Sequence, residues 1–115
     1  MPQRVLVADD SAVVRLTVAR GMRAHGCEVV ETDSAGAASA VDAATLACAV
    51  LDLDLGDGLG TDVAAALRQA APELPIAFFT SEQSGDAVER ARAIGPVFAK
   101  PDDLERAIDW AVSRS

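Results

Sequence analysis

The sequence predicts an α/β domain in which a five-stranded parallel sheet is covered by helices on both faces. Two observations carry this expectation. Five short β-type runs alternate with five helix-type segments along 115 residues, with no internal repeat or low-complexity tract between them. The central runs, Val5-Leu6-Val7, Ala49-Val50-Leu51 and Ile76-Ala77-Phe78-Phe79, are continuously apolar, as strands buried on both sides require.

The first strand is expected at Arg4–Ala8. It leads into a helix over residues 12–25, where Val14, Val18 and Met22 recur at helical spacing, with Asp10 or Ser11 as cap and Gly26 as terminator. A second strand over Glu28–Thr32 precedes an Ala-rich helical stretch over residues 35–44. The third strand, residues 47–52, runs into a loop containing Gly56, Gly58 and Gly60, whose spacing and place are not those of a dinucleotide fingerprint. Thr61 is the expected cap of a helix over residues 62–70, with Val63, Ala66 and Leu67 on one face. Pro72 and Pro75 bracket the turn before the fourth strand, Ile76–Thr80. A helix over Asp86–Ile94 is stopped by Gly95-Pro96, the fifth strand covers Val97–Ala99, and residues 103–113 close the chain with an apolar stripe of Leu104, Ala107, Ile108 and Ala111. The length suits one domain spanning residues 1–115.

Composition narrows the function. Eighteen acidic against ten basic residues leave a formal charge of −8, which argues against binding nucleic acid or an anionic membrane surface. No apolar run approaches the roughly 18 residues needed to cross a bilayer. The N-terminus turns acidic at Asp9-Asp10, too soon for a signal peptide, so a cytoplasmic setting is expected. With three Phe, one Trp and no Tyr, the core has to be built from Ala, Val, Leu and Ile. Cys27 and Cys48 lie in apolar stretches without metal-ligand spacing and read as buried, reduced thiols. His25 stands in the last turn of a helix, where positive charge is favoured, and no chemical role is assigned to it.

Ligands of open parallel sheets bind beyond the carboxyl ends of the strands. The first strand ends in Asp9-Asp10, the third in Asp52 followed by Leu53-Asp54, the fourth in Thr80-Ser81 and the fifth in Lys100-Pro101. Taken singly, each has a plain reading: a helix cap, a structural threonine, a surface lysine. Together they place carboxylates, a hydroxyl and an ammonium around one crevice. Clustered carboxylates repel, so the site favours a proton or a cation, and oxygen-only donors select a hard ion such as Mg²⁺ or Ca²⁺. An open cleft with few protein ligands favours Mg²⁺ shared with a phosphate. The chemistry expected is phosphoryl transfer, with an aspartate as nucleophile.

This set resembles the receiver domains of bacterial two-component response regulators, of the chemotaxis-Y type. That family carries an acidic pair after the first strand, an Asp ending the third, a Ser or Thr ending the fourth and Lys-Pro after the fifth. The resemblance implies a doubly wound, flavodoxin-like (βα)5 fold with strand order 2-1-3-4-5. It implies Asp52 as phosphoacceptor, Asp10 and Asp9 as Mg²⁺ ligands beside Asp52, and Asp54 as a metal ligand through its backbone carbonyl. It implies Thr80 as the switch hydroxyl and Lys100 as the partner of the phosphoryl group. The implied partner is a sensor histidine kinase or a histidine phosphotransfer protein. The chain would be a signalling switch, not a turnover enzyme, and a monomer or weak phosphorylation-dependent dimer. Three departures stand out. The stretch between Gly95 and Lys100 is about two residues shorter than is usual in the family. Gly56 replaces a frequent Pro, and Val97 stands where the family has a switch aromatic, with Phe98 pointing to the opposite face of the strand. Two other readings share these residues. Asp52-Leu53-Asp54 resembles the Asp-x-Asp motif of haloacid-dehalogenase-type phosphatases, although there that motif comes first in the chain. An unphosphorylated pseudo-receiver would use the same fold for docking alone.

Overall fold

The computed structural model describes residues 3–114. Five strands, β1 (Arg4–Ala8), β2 (Glu28–Thr32), β3 (Cys48–Leu51), β4 (Ile76–Thr80) and β5 (Val97–Ala99), form one sheet in the order β2-β1-β3-β4-β5. Every neighbouring pair is parallel. The connections are α1 (Ala12–Ala24), α2 (Ala35–Ser39) with a 3-10 turn at Ala43–Thr45, α3 (Gly60–Ala70) and α4 (Asp86–Ile94), and α5 (Leu104–Ser113) ends the chain. The expected doubly wound order is therefore the one observed.

Alternation along each strand divides the interior into two cores. Leu6, Ala8, Ala49, Leu51, Ile76 and Phe78 face the layer of α2, α3 and α4, where Ala38, Val63, Leu67, Val88 and Ala91 meet them. Val5, Val7, Cys48, Val50, Ala77 and Phe79 face α1 and α5, against Val18, Met22, Ala107, Ile108 and Ala111. Both cysteines are free and buried, and burial pushes the Cys48 thiol up to about 12. No helix of the described residues is long and apolar enough to cross a membrane.

The ends of several elements depart from the sequence expectation. Strand β3 covers Cys48–Leu51, one residue shorter at each end than expected, so Asp52 is the first residue beyond it. The second helix stops at Ser39 instead of running to residue 44. Past it, the Asp42 carboxylate accepts the Ala44 amide at 3.2 Å, and the Thr45 hydroxyl donates to the Asp42 carbonyl at 2.7 Å. Those local bonds offer the backbone an alternative to the helix. The turn they stabilise still buries Ala43 in the same core as Ala38. Ser11, not Asp10, caps α1 by accepting the Val14 amide. Gly26, just past α1, adopts φ +87°, the left-handed conformation expected of a helix terminator.

Thr61 does not cap α3, which begins two residues earlier than expected, at Gly60, with Leu59 in the cap position and no side-chain cap. The reason lies across space. The Gly60 amide donates to the Leu53 carbonyl at 2.8 Å, and a Cβ on Gly60 would collide with the carbonyl of Asp52. The helix start is thus pressed against the backbone of β3's exit, where only glycine fits.

The same geometry separates two glycine substitutions. Gly60→Ala should destabilise the fold by about 1–3 kcal/mol, since backbone cannot yield as a side chain can. Gly36→Ala, in α2, meets only the Asp57 carboxylate at 3.5 Å, an ordinary contact, and should stabilise by about 0.5–1 kcal/mol. Urea midpoints of the two variants read this directly. A Gly60→Ala midpoint equal to that of the parent chain would show that the α3 start is free to move.

Candidate functional site

All five parallel strands end on the same edge, and their exits supply the site. Asp9 follows β1, and its amide extends the ladder by donating to the Thr32 carbonyl at 3.1 Å. Its side chain is only 3% exposed as a residue and is held twice: Oδ1 accepts the Ser11 amide at 2.9 Å, and Oδ2 pairs with Lys100 Nζ at 2.7 Å. Asp10 is exposed at the mouth of the same cluster. Asp52 follows β3, with its amide on the Ala8 carbonyl at 2.9 Å. Its Oδ1 accepts the Leu53 amide at 2.8 Å and its Oδ2 accepts Lys100 Nζ at 3.0 Å. One ammonium therefore bridges the carboxylates of β1 and β3. The Lys100 amide donates to the Thr80 carbonyl at 2.9 Å, and the ammonium lies 5.8 Å from the centroid of the Phe79 ring. Lys100-Pro101 is a cis peptide.

Thr80, the last residue of β4, is 2% exposed, and its Oγ1 accepts the Glu82 amide at 3.1 Å. That contact uses a lone pair and leaves the hydroxyl proton free to donate elsewhere. Asp54 behaves differently from the other acids. Its carboxylate folds back to accept the Gly56 amide at 2.9 Å, within a loop closed by an isolated bridge to Leu59. Its side chain is not among the carboxylates that converge with Asp9.

Asp9, Asp10 and Asp52 each bring one carboxylate oxygen to within 4.8 Å of the others. Three carboxylates against the single Lys100 ammonium leave two formal negative charges among these four groups. Burial raises the Asp52 carboxyl above the usual carboxylate range; the hydrogen bond and charge of Lys100 oppose that rise, and Asp9 adds to it. Burial alone would lower the Lys100 ammonium, but its bonds to Asp9 and Asp52 hold it above the ordinary lysine value. Oxygen-only donors, convergent on one point and short of positive charge, fit a hard divalent cation such as Mg²⁺.

Supporting residues escaped the sequence reading. Arg15 on α1 donates from Nη1 to the Asp9 carbonyl at 3.0 Å while its Nε pairs with Glu31 at 3.4 Å. Asp57, in the loop after β3, accepts the first amides of α2, Ala35 at 2.7 Å and Gly36 at 3.1 Å, and those bonds lower its carboxyl. Asp103 accepts the Ala99 amide at 2.9 Å. Only Asp103 carried a sequence signal, an Asp just before an apolar-periodic helix.

The comparisons with known proteins agree with this geometry. Residues 5–109 match the family model described as the response regulator receiver domain. The transcriptional regulatory protein PdtaR of Mycobacterium tuberculosis is 34% identical over 122 residues, covering 99% of this chain and 58% of that protein. The chain thus spans little more than half the length of that relative. Among solved structures, the non-phosphorylated HemR receiver domain from Leptospira biflexa superposes with a TM-score of 0.83 at 21% identity, over 96% of this chain and 94% of that one. The BeF3-activated DrrB receiver domain superposes at 0.85 and 16% identity, over 99% and 97%. At such identities the two structures show the shared fold. The strand order, the aspartates at the ends of β1 and β3 and the matched family model together establish that this chain belongs to the response regulator receiver domains of two-component signalling systems.

Proposed function

We propose that this receiver takes a phosphoryl group onto Asp52 from a histidine kinase or histidine phosphotransfer protein in the cytoplasm, and that the modification changes what the domain binds. The observation that carries the reading is Lys100 Nζ lying 3.0 Å from Asp52 and 2.7 Å from Asp9, in a pocket where three carboxylates converge. The Leu53 amide holds Asp52 Oδ1 and the Lys100 ammonium holds Oδ2, which fixes the carboxylate in the pocket. In the transfer, an Asp52 oxygen forms the new P–O bond as the donor's P–N bond breaks. The electron pair leaves with the imidazole nitrogen. Lys100 passes from the carboxylate to a phosphoryl oxygen, and the Thr80 hydroxyl donates to another. Asp9, Asp10, Asp52 and the Asp54 carbonyl would hold Mg²⁺, which would supply positive charge to offset the carboxylates and the phosphoryl oxygens. An apolar groove of about 200 Å³ opens beside Lys100, lined by Val13, Val14, Thr17, Phe79, Pro101 and Leu104. Val13 is 76% exposed there, which supports docking of the phosphodonor next to the acceptor.

The output side differs from the family pattern. Val97 faces the α4 layer and lines a cavity of about 230 Å³ with Glu82, Gln83, Arg92, Ala99 and Asp103. Valine is stiff at its first torsion and too short to swing across that space. Phe98 is packed into the α1–α5 core at 6% exposure, with the Arg106 guanidinium 5.6 Å from its ring centroid. Activation therefore rests on the segment after Thr80, which runs exposed from Ser81 to Asp86 through Gly85 at φ +108°.

Three measurements test this reading. Intact mass after incubation with acetyl phosphate and Mg²⁺ should show one phosphoryl adduct, absent in Asp52→Ala and retained in Asp54→Ala; an adduct that survives Asp52→Ala would refute the acceptor. Millimolar Mg²⁺ should raise the melting temperature, by the equivalent of about 2.7 kcal/mol at a hundredfold excess over its dissociation constant. That rise should vanish in Asp10→Ala, and a parent chain indifferent to Mg²⁺ would count against the metal site. Backbone NMR of the apo and beryllofluoride-bound protein should show large shifts in residues 81–94 with Val97 and Phe98 little changed. A rotamer change at Phe98 would show instead that the neighbouring residue has taken over the aromatic's role.

A further inference from the structure

The geometry points to Asp103 as a positioning residue that aims Lys100 at Asp52, an inference that rests on Asp52 being the acceptor. Strand β5 is the edge of the sheet. Pro96 accepts the Phe78 amide and the Lys100 amide donates to Thr80, so the even-numbered positions of this segment bond to β4. The Ala99 amide, on the odd positions, points to the open edge, where no strand can take it. Asp103 Oδ2 takes it instead, at 2.9 Å. The Asp103 amide returns the bond to the Ala99 carbonyl at 2.8 Å. Both backbone groups of the residue immediately before Lys100 are thus tied to one residue, and Lys100-Pro101-Asp102 is closed into a small ring.

The Asp103 carboxylate is itself oriented. Its second oxygen pairs with Arg106 Nη1 at 3.3 Å, one turn along α5, and its side chain is 24% exposed. On the other side of the ring, the Lys100 amide is fixed to β4. Lysine carries its charge on a flexible four-carbon stem, so the ammonium is only as well placed as the backbone it hangs from. The ring supplies that placement from the side of the sheet where β4 does not reach. The Asp103 side chain bonds to the Ala99 amide and to Arg106 and to none of the three carboxylates of the pocket; it acts through Ala99 and the peptide that carries Lys100.

Asparagine at this position keeps the acceptor oxygen and removes the charge, whereas alanine removes both. Asp103→Ala should slow phosphorylation by saturating acetyl phosphate with Mg²⁺ about tenfold, in line with the steep cost of displacing a reacting group by a fraction of an ångström. It should weaken beryllofluoride binding by a similar factor, while Asp103→Asn stays within about twofold of the parent in both. In a Lys100→Ala background, Asp103→Ala should add less than about a twofold effect, because its influence runs through Lys100. In the parent chain, exchange of the Ala99 amide should be slow despite its place on an open edge, a reading that needs no variant to fold. Three results would overturn the inference: an Asp103→Ala protein with parental phosphorylation and beryllofluoride affinity but a lower melting temperature, an equal loss in folded Asp103→Asn, or fast exchange at Ala99. A parent chain that takes no phosphoryl group on Asp52 would overturn the acceptor and this assignment together, whereas parental rates in Asp103→Ala would overturn this assignment alone.

Discussion

Three aspartates meet within 4.8 Å at the carboxyl edge of the sheet, and one lysine bridges two of them. Much of the molecule can be understood as the means of tolerating that meeting. Two like charges about 4 Å apart repel by about 4 kcal/mol at an effective dielectric near 20, a large amount for a domain whose whole stability is about 5–15 kcal/mol. The sign of the Asp52 shift expresses the same conflict. Its carboxyl is raised in the folded state, chiefly by burial, so the stability it contributes is complete below the ordinary carboxylate range and is lost as pH rises through the raised value. Above that value the ionised Asp52 is an unfavourable charge in the fold, beside two cores of closely packed aliphatic side chains. A cation beside the three carboxylates would change that balance.

Holding such a cluster in place falls largely to the backbone. Each acidic loop is tied by groups that lie outside the cluster. Arg15 takes the Asp9 carbonyl, the Leu53 amide takes an Asp52 oxygen, and Gly60 lets α3 begin against the Asp52 carbonyl. Asp57, from the same loop as Asp54, reaches across to the first turn of α2, so the loop after β3 is anchored on a neighbouring helix as well as on its own strand. These ties are hydrogen bonds to backbone groups that would otherwise face solvent or lie unmatched at a helix start. They restrict the carboxylates without adding positive charge to the pocket, apart from Arg15, whose charge is answered by Glu31.

The parts of the structure legible in the sequence were those governed by local or periodic rules. Continuous apolar runs marked β1, β3 and β4, and the residues at their exits fell where a parallel sheet brings them together. Where local rules compete with one another, or the partner lies elsewhere in the fold, the sequence expectation failed. Residues 35–44 are so rich in alanine that helical phase is poorly defined, and the end of α2 is decided by the Asp42 and Thr45 bonds that follow it. Thr61 had the side chain of a cap, yet Gly60 begins the helix because of a contact with a residue eight positions earlier. Arg15 and Asp57 act on partners 6 and 22 residues away, at distances over which sequence spacing carries no geometric information. Even within the Asp9-Asp10 pair, the sequence offered no means to tell that Asp9 is buried on Lys100 while Asp10 is exposed.

Strand β5 shows how a short edge element can serve both faces of the sheet at once. Its three residues alternate between the layers: Val97 packs against the core under α4, Phe98 enters the core under α1 and α5, and Ala99 gives its amide to Asp103. The next residue, Lys100, reaches the aspartates. A bulky side chain at position 97 would occupy the cavity beside Glu82 and Arg92 and make that face sensitive to where Thr80 lies. With valine there, the cavity stays partly unfilled and the strand has little to move. Phe98 cannot be recruited for that task without leaving a well-packed core, since reversing one residue of a strand reverses its neighbours as well. The exposed backbone beside the site is instead the turn that follows Thr80, residues 81–86, tied back to that threonine by the Glu82 amide.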